Sequence, residues 1–209
     1  LEKCESLTAI EIDKDLIRFL KKAYGDRKNF NLIEKDILLY DPKELVRVNK
    51  LIGNIPYNIS TPIIEWIIDN KSSFDEIFLM LQKEFGERCI AQPNTKSYGR
   101  LSIFVQCFFD VTVIREVDKS SFDPSPKVQS IFLKLIPKVS DKTPNSILMK
   151  NLSTLTREAF SKRRKLITNS LKSFFTEEDL VNLGIERKSR PENLSVETYI
   201  KLAKSIQSG

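Results

Sequence analysis

Lys50-Leu51-Ile52-Gly53-Asn54-Ile55-Pro56-Tyr57-Asn58-Ile59-Ser60-Thr61-Pro62-Ile63-Ile64-Glu65-Trp66-Ile67 is the stretch that decides the fold. Its apolar start, residues 50–52, reads as a buried strand that stops just before Asn54. A polar turn containing proline follows. Thr61-Pro62 then opens a helix, with a hydroxyl cap and proline at the first helical position. Ile63, Ile64, Trp66 and Ile67 give that helix an apolar face, so Trp66 is read as core. Strand, polar turn and capped helix in immediate succession are half of a βαβ unit.

The same alternation extends in both directions. Residues 7–12 read as a strand. Residues 13–24 read as a helix with Leu16, Ile17 and Leu20 on one face, Asp13 as its cap and Gly25 as its stop. Residues 30–33 form the next strand. Glu11, Asp36 and Asn54 stand at or just beyond three strand ends, and ligands of open, mostly parallel α/β sheets bind there, so these residues are predicted to converge. Downstream come a strand at 76–81, a helix at 84–91, a loop at 93–98 and a helix at 101–109. Strands at 111–117 and 128–135 are expected to pair antiparallel through Phe122-Asp123-Pro124-Ser125-Pro126, a connection stiffened by its prolines. Residues 137–144, where two prolines bracket charged residues, read as a domain boundary. Beyond it the pattern is helical: 147–160, 162–175, 176–183 with a Thr-x-x-Asp cap, and 195–206. The predicted architecture is an α/β domain over residues 1–138 followed by a small all-helical domain over 139–209.

Composition narrows the chemistry. The 209 residues, 41% hydrophobic and 30% charged, suit a folded chain. Net charge is +6, from 34 Lys and Arg against 28 Asp and Glu. Residues 150–172 alone hold seven cations (Lys150, Arg157, Lys162, Arg163, Arg164, Lys165, Lys172) against one acid, Glu158, an excess of six that equals that of the whole chain. The basic footprint expected of a nucleic-acid binder is therefore concentrated in one segment; a solvated helix face is the alternative reading. There is no histidine, and the three cysteines (Cys4, Cys89, Cys107) are far apart. Zinc sites, disulfide scaffolds and Ser-His or Cys-His nucleophile pairs are thereby disfavoured, and no metal is expected. No apolar run approaches the roughly 20 residues of a membrane span. Unpaired thiols without a secretory signal fit a reducing, cytoplasmic setting.

Asn54-Ile55-Pro56-Tyr57 carries the sharpest chemical signal. Taken alone, Asn and Pro at a strand end are ordinary turn formers. Placed where an α/β transferase puts its reactive group, they suit methylation of an adenine amine. That amine is a poor nucleophile, because its lone pair is delocalised into the ring. The Asn54 side-chain oxygen and a neighbouring main-chain carbonyl can each accept one amine hydrogen and aim the lone pair at a methyl donor, with Pro56 fixing the turn. Tyr57 would stack on the base once it is flipped out, at a gain of roughly 1 to 3 kcal/mol.

Residues 54–62, Asn-Ile-Pro-Tyr-Asn-Ile-Ser-Thr-Pro, resemble the active-site motif of the rRNA adenine N6,N6-dimethyltransferases. The single proline in the tetrapeptide leans toward RNA rather than DNA methylases. The resemblance covers nearly the whole chain. It continues through Leu81-Gln82-Lys83-Glu84, Ser97-Tyr98-Gly99-Arg100-Leu101-Ser102, Phe122-x-Pro-x-Pro-Lys127-Val128, Ala159-Phe160-x-x-Arg163-Arg164-Lys165 and Asn169-Ser170-Leu171-Lys172. Within the family, the proline-rich connection and the Arg-Arg-Lys segment favour the KsgA type over the erythromycin-resistance type.

The resemblance implies a Rossmann-like S-adenosylmethionine-dependent methyltransferase domain followed by a helical RNA-binding domain. It implies dimethylation of two adjacent adenosines near the 3′ end of small-subunit (16S) rRNA within an assembling small ribosomal subunit, by a monomer that releases S-adenosylhomocysteine. Carried over by position, Glu11 holds the cofactor ribose hydroxyls, Asp36 with Ile37 contacts the cofactor adenine, and Asn54 sits between cofactor and base. Tyr57 and Phe122 are placed against the flipped adenine; for Phe122, ordinary packing is the alternative. Lys127, Arg163, Arg164 and Lys165 grip phosphates and fix register without reading sequence. The segment 98–102 is expected to be a structural loop. The family's Gly-x-Gly-x-Gly strand and loop, which lets main chain approach the cofactor's methionine part, does not occur in these residues, so it is expected upstream of Leu1 in an incomplete N-terminus. A large-subunit, resistance-type methyltransferase and a non-catalytic RNA-binding assembly factor are the competing readings.

Overall fold

The computed structural model describes residues 4–44, 49–123, 126–138 and 146–206, apart from the side chains of Tyr57 and Ser146. Contacts group the chain into two units, Leu1–Val46 and Arg47–Gly209.

The first unit is a βαβ element. Strand β1 (Leu7–Glu11) leads through helix α1 (Lys14–Tyr24) to β2 (Phe30–Glu34), which pairs with β1 in parallel, Glu11 opposite Glu34. The α1 cap is the expected one: Asp13 Oδ1 accepts the Asp15 and Leu16 N–H groups at 2.8 and 3.1 Å. These backbone donors, Leu16 foremost, hold the Asp13 carboxyl below its ordinary pKa. Gly25 ends the helix at φ −58°, without a left-handed cap. A Cβ there would lie 2.4 Å from the Lys21 carbonyl oxygen, so the glycine serves close approach.

The second unit begins with β3 (Lys50–Asn54), α2 (Ser60–Asp69), β4 (Glu76–Gln82), α3 (Lys83–Ile90) and α4 (Arg100–Phe108). Strands β5 (Phe109–Val117) and β6 (Ser130–Pro137) complete a four-stranded sheet of order β3-β4-β6-β5. Only β3 and β4 are parallel; β6 runs antiparallel to both β4 and β5. The sheet is thus more mixed than the alternation of runs suggests, because β5 and β6 form an antiparallel pair without a crossover helix. One face of the two central strands, β4 and β6, is buried, with Ile77, Leu79, Leu81, Leu133 and Leu135 at 1% exposure or less. Helix α3 lies so close to that face that a Cβ on Gly86 would fall 2.2 Å from Ile131 Cγ2. Trp66 is core, packed against Phe74 at a 6.0 Å ring separation.

Helices α5 (Ser146–Ser161), α6 (Ile167–Ser170), α7 (Glu177–Asn182) and α8 (Val196–Ser205) follow. Their core of Leu152, Leu155, Ile167, Leu171, Leu180, Tyr199 and Leu202 also takes in Tyr98 and Ile103. Most of the expected boundary at 137–144 lies outside the described residues. The Thr176 capping box is present, its hydroxyl accepting the Asp179 N–H at 3.1 Å while Asp179 accepts the Thr176 N–H at 2.8 Å.

Two expected helix bounds are corrected. Thr61 does not cap α2: the helix begins at Ser60 after a 3-10 turn, Tyr57–Ile59, and no side chain caps it. The preceding turn already supplies the entry, with Ile59 N–H donating to the Pro56 carbonyl at 3.1 Å. The helix expected over 162–175 shrinks to α6. Four successive cations at 162–165 disfavour a helical turn, where like charges crowd at three- and four-residue spacing. Residues 162–165 form a turn instead, closed by Lys165 N–H to the Lys162 carbonyl at 2.8 Å, and Ile167 N–H leaves for the Ser189 carbonyl. Among the described residues, no helix is long and apolar enough to cross a membrane.

Candidate active site and nucleic-acid surface

Asn54 ends β3 opposite Met80 of β4, so the strand runs two residues past its expected end at Ile52. The next N–H, of Ile55, donates to the Met80 carbonyl at 3.1 Å, so the ladder carries past Asn54 into the turn. Ile55 folds back and is buried, with Cδ1 over the α-carbon of Gly53, where a Cβ would be only 2.6 Å away. The Pro56 carbonyl accepts from Ile59 N–H and, at 3.5 Å, from the Ser60 hydroxyl. Residues 53–60 are therefore held from both ends while the Asn54 side chain stays exposed. The Tyr57 side chain lies outside the described residues.

In the first unit, Glu11 sits half-buried at the end of β1. Its Oε1 accepts the N–H groups of Ile12 and Asp13 at 2.8 and 2.9 Å, which fixes the carboxylate at the strand end. Asp36 Oδ1 accepts Leu38 N–H at 2.9 Å and caps the 3-10 turn Ile37–Leu39. Ile12 and Leu39 are 65% and 73% exposed. A carboxylate oriented by its own backbone fits a vicinal diol, and a capped apolar turn fits a purine face. These residues suit the ribose and adenine of a nucleoside cofactor.

Phe122 is half-buried at the end of the 3-10 turn Lys119–Ser121, and Lys127 is exposed; Pro124 and Ser125 between them lie outside the described residues. Arg164 and Lys165 are exposed in the 162–165 turn. Arg163 is engaged within the protein: Nε donates to Glu192 Oε2 at 2.5 Å, Nη1 to the Lys96 carbonyl at 3.0 Å and Nη2 to the Thr95 carbonyl at 3.2 Å. Lys96, Arg163, Arg164, Arg190 and Glu192 line a cleft of about 310 Å³. Sequence reasoning missed Lys96 and Arg190, which lie outside the basic run and reach it only in three dimensions.

Of the segment 98–102, only Tyr98 and Gly99 lie in a loop; Arg100–Ser102 form the first turn of α4, and the segment joins elements. Tyr98 is buried and donates to the Leu194 carbonyl at 2.9 Å, its hydroxyl pKa raised by desolvation. Ser102 Oγ accepts Gly99 N–H at 3.1 Å and donates to the Arg88 carbonyl at 2.6 Å, fixing the start of α4 against the end of α3. Burial pushes the thiol of Cys89 up to about 12 and that of Cys107 to about 11, so neither is a nucleophile at neutral pH. Among the described residues there is no group of three or more metal-ligating side chains.

A family model described as ribosomal RNA adenine dimethylase matches residues 1–208. The chain belongs to this family. Curated relatives include the ribosomal RNA small subunit methyltransferase A of Buchnera aphidicola, 40% identical over 97% of this chain and 75% of its own length, and that of Legionella pneumophila, 39% identical over 100% and 81%. A crystal structure of a dimethyladenosine transferase from Plasmodium falciparum superposes with a TM-score of 0.79 at 30% identity, over 94% of this chain and 80% of that one. The α/β methyltransferase fold expected from the sequence is the fold of this adenine dimethylase family, whose members are S-adenosylmethionine-dependent enzymes.

Proposed function

We propose that this member of the adenine dimethylase family dimethylates the N6 amines of two adjacent adenosines near the 3′ end of small-subunit rRNA during assembly of the subunit. The observation that carries the reading is the Asn54–Tyr57 turn, restrained by the Met80 carbonyl on one side and the entry to α2 on the other, with Asn54 exposed at its rim. S-adenosylmethionine supplies an electrophilic methyl group when bound and leaves as S-adenosylhomocysteine.

The protein's own residues do the rest. Asn54 Oδ1 accepts one hydrogen of the target amine. The Pro56 carbonyl is committed within its turn, so we assign the second hydrogen to the carbonyl of Ile55. In the first transfer both hydrogens are held and in the second the one that remains, so that the nitrogen lone pair is drawn out of conjugation and aimed at the methyl group. Each transfer then releases one proton from the methylated nitrogen to solvent, and the contribution of orientation and preorganised dipoles needs no histidine. Pro56 keeps the turn in place, and Tyr57 and Phe122 stack on the flipped base. Glu11 takes the cofactor ribose hydroxyls, and Asp36 with Ile37 takes its adenine. Lys127, Arg164 and Lys165 meet phosphates, and the helical domain over 139–209 supplies most of the RNA surface. The enzyme works as a cytoplasmic monomer.

The test is methyl incorporation from labelled S-adenosylmethionine into undermethylated small ribosomal subunits. N6,N6-dimethyladenosine in small-subunit RNA is the expected product. Label confined to large-subunit RNA would point to the resistance-type reaction, and RNA binding with no label would point to an assembly factor.

A further inference from the structure

The Arg-Arg-Lys segment looks like three equivalent phosphate ligands, yet the guanidinium of its first member is engaged by acceptors of the protein itself. Arg163 uses Nε, Nη1 and Nη2 on Glu192, Lys96 and Thr95, partners 29, 67 and 68 residues away in sequence. Two of these are main-chain carbonyls of one loop. That loop is also stitched to the turn around residue 192: Asn94 N–H donates to the Glu192 carbonyl at 2.8 Å, and Asn193 Nδ2 donates to Asn94 Oδ1 at 2.7 Å. Asn94 has a left-handed backbone, φ 68°, which asparagine tolerates better than other non-glycine residues, and its two hydrogen bonds to the 192–193 turn hold it there. The side chain carried beside these anchored carbonyls is that of Lys96, which is exposed and lines the same cleft as Arg164 and Arg190.

We propose that Lys96 is a phosphate ligand for the RNA and that Arg163 is its positioning residue. Arg163 neutralises Glu192, which would otherwise oppose an anion in the cleft, and clamps the main chain of residues 95 and 96 so that the Lys96 ammonium is presented alongside Arg164. A guanidinium is required, because three acceptors in a fixed fork match its planar donors and a single ammonium cannot reach them all. The inference rests on the RNA-binding reading above and refines it by separating the residue that holds from the residue that grips.

The two roles separate in the salt dependence of RNA binding, measured with the intact protein on small-subunit RNA at temperatures well below unfolding. Removing one phosphate ligand lowers the slope of log K against log salt by about 0.7 to 0.9. Lys96→Ala is expected to lower it by one such step, Arg163→Ala by the same step, and the double variant by that one step only. Arg163→Lys should fail to restore it. Two steps in the double variant, or full restoration by Arg163→Lys, would show Arg163 to be a ligand in its own right and overturn the proposal. A lowered melting temperature with an unchanged slope in Arg163→Ala would also overturn it, by showing a purely structural brace. If the wild-type protein binds no RNA, the underlying reading fails instead; if Arg164→Ala lowers the slope and Lys96→Ala does not, only this inference falls.

Discussion

The Asn54–Tyr57 turn and the 162–165 turn are the two segments that the sequence marks as candidate functional sites, but their restraints come from opposite sources. The first is held by near neighbours: its own strand, the Ile55 side chain folded onto Gly53, the Met80 carbonyl on the adjacent strand and the start of α2. The second is held by distant residues, with Arg163 reaching across 67 and 68 positions to the loop before α4. A locally determined turn can be rigid whatever the rest of the chain does. A turn fixed at long range takes its shape only when the helical core has formed, which makes it sensitive to that core.

The comparison can be broken most decisively at Asn54. Asn54→Ala should lower kcat for methyl transfer by at least 10²-fold, on the order of what removing one preorganised dipole costs, with RNA affinity nearly unchanged. Retained activity would remove the turn from the chemistry. The local character of the restraint is tested by Gly53→Ala. The added Cβ crowds Ile55 Cδ1, and the resulting shift of the turn should cost roughly 10- to 10²-fold in kcat. Adding Ile55→Val, which deletes that Cδ1, should recover most of the activity; failure of the rescue would mean that the turn is not set by this contact.

The long-range character is tested more gently. Tyr98→Phe deletes the hydrogen bond to the Leu194 carbonyl and should destabilise the protein by about 1 kcal/mol in urea unfolding, loosening the helical core while leaving kcat on bound RNA alone. Arg164→Ala carries the smallest effect: no change in stability, and a salt slope lower by about 0.7 to 0.9. An unchanged slope would return that face of the turn to ordinary solvated charge.

The strands and most helices were legible because burial on one face imposes a period, and a period survives in a single sequence. Asp13, Thr176 and Ser195 could be read as helix starts because capping is an interaction between residues two or three apart. Thr61 misled for the same reason: a hydroxyl before proline is the local signature of a cap, but the 3-10 turn at Tyr57–Ile59 had already started the helix. The 162–175 helix misled through its apolar spacing, since nothing in that spacing reveals that Arg163 is drawn to Thr95, Lys96 and Glu192. The mixed strand directions of the sheet were only partly visible, because pairing direction is a relation between segments.

By itself the sequence determined the element types, the chemistry available at Asn54 and the family to which the chain belongs, since these rest on periodicity, on functional groups and on contiguous motifs. Tertiary structure alone decided that the Ile55 side chain folds over Gly53, that Tyr98 is a core hydroxyl, and that Lys96 and Arg190 join the basic segment while its first arginine is taken up by the loop before α4. Those outcomes depend on which distant groups come within a few ångströms of one another, and the free energy of such encounters is not encoded at any one position along the chain.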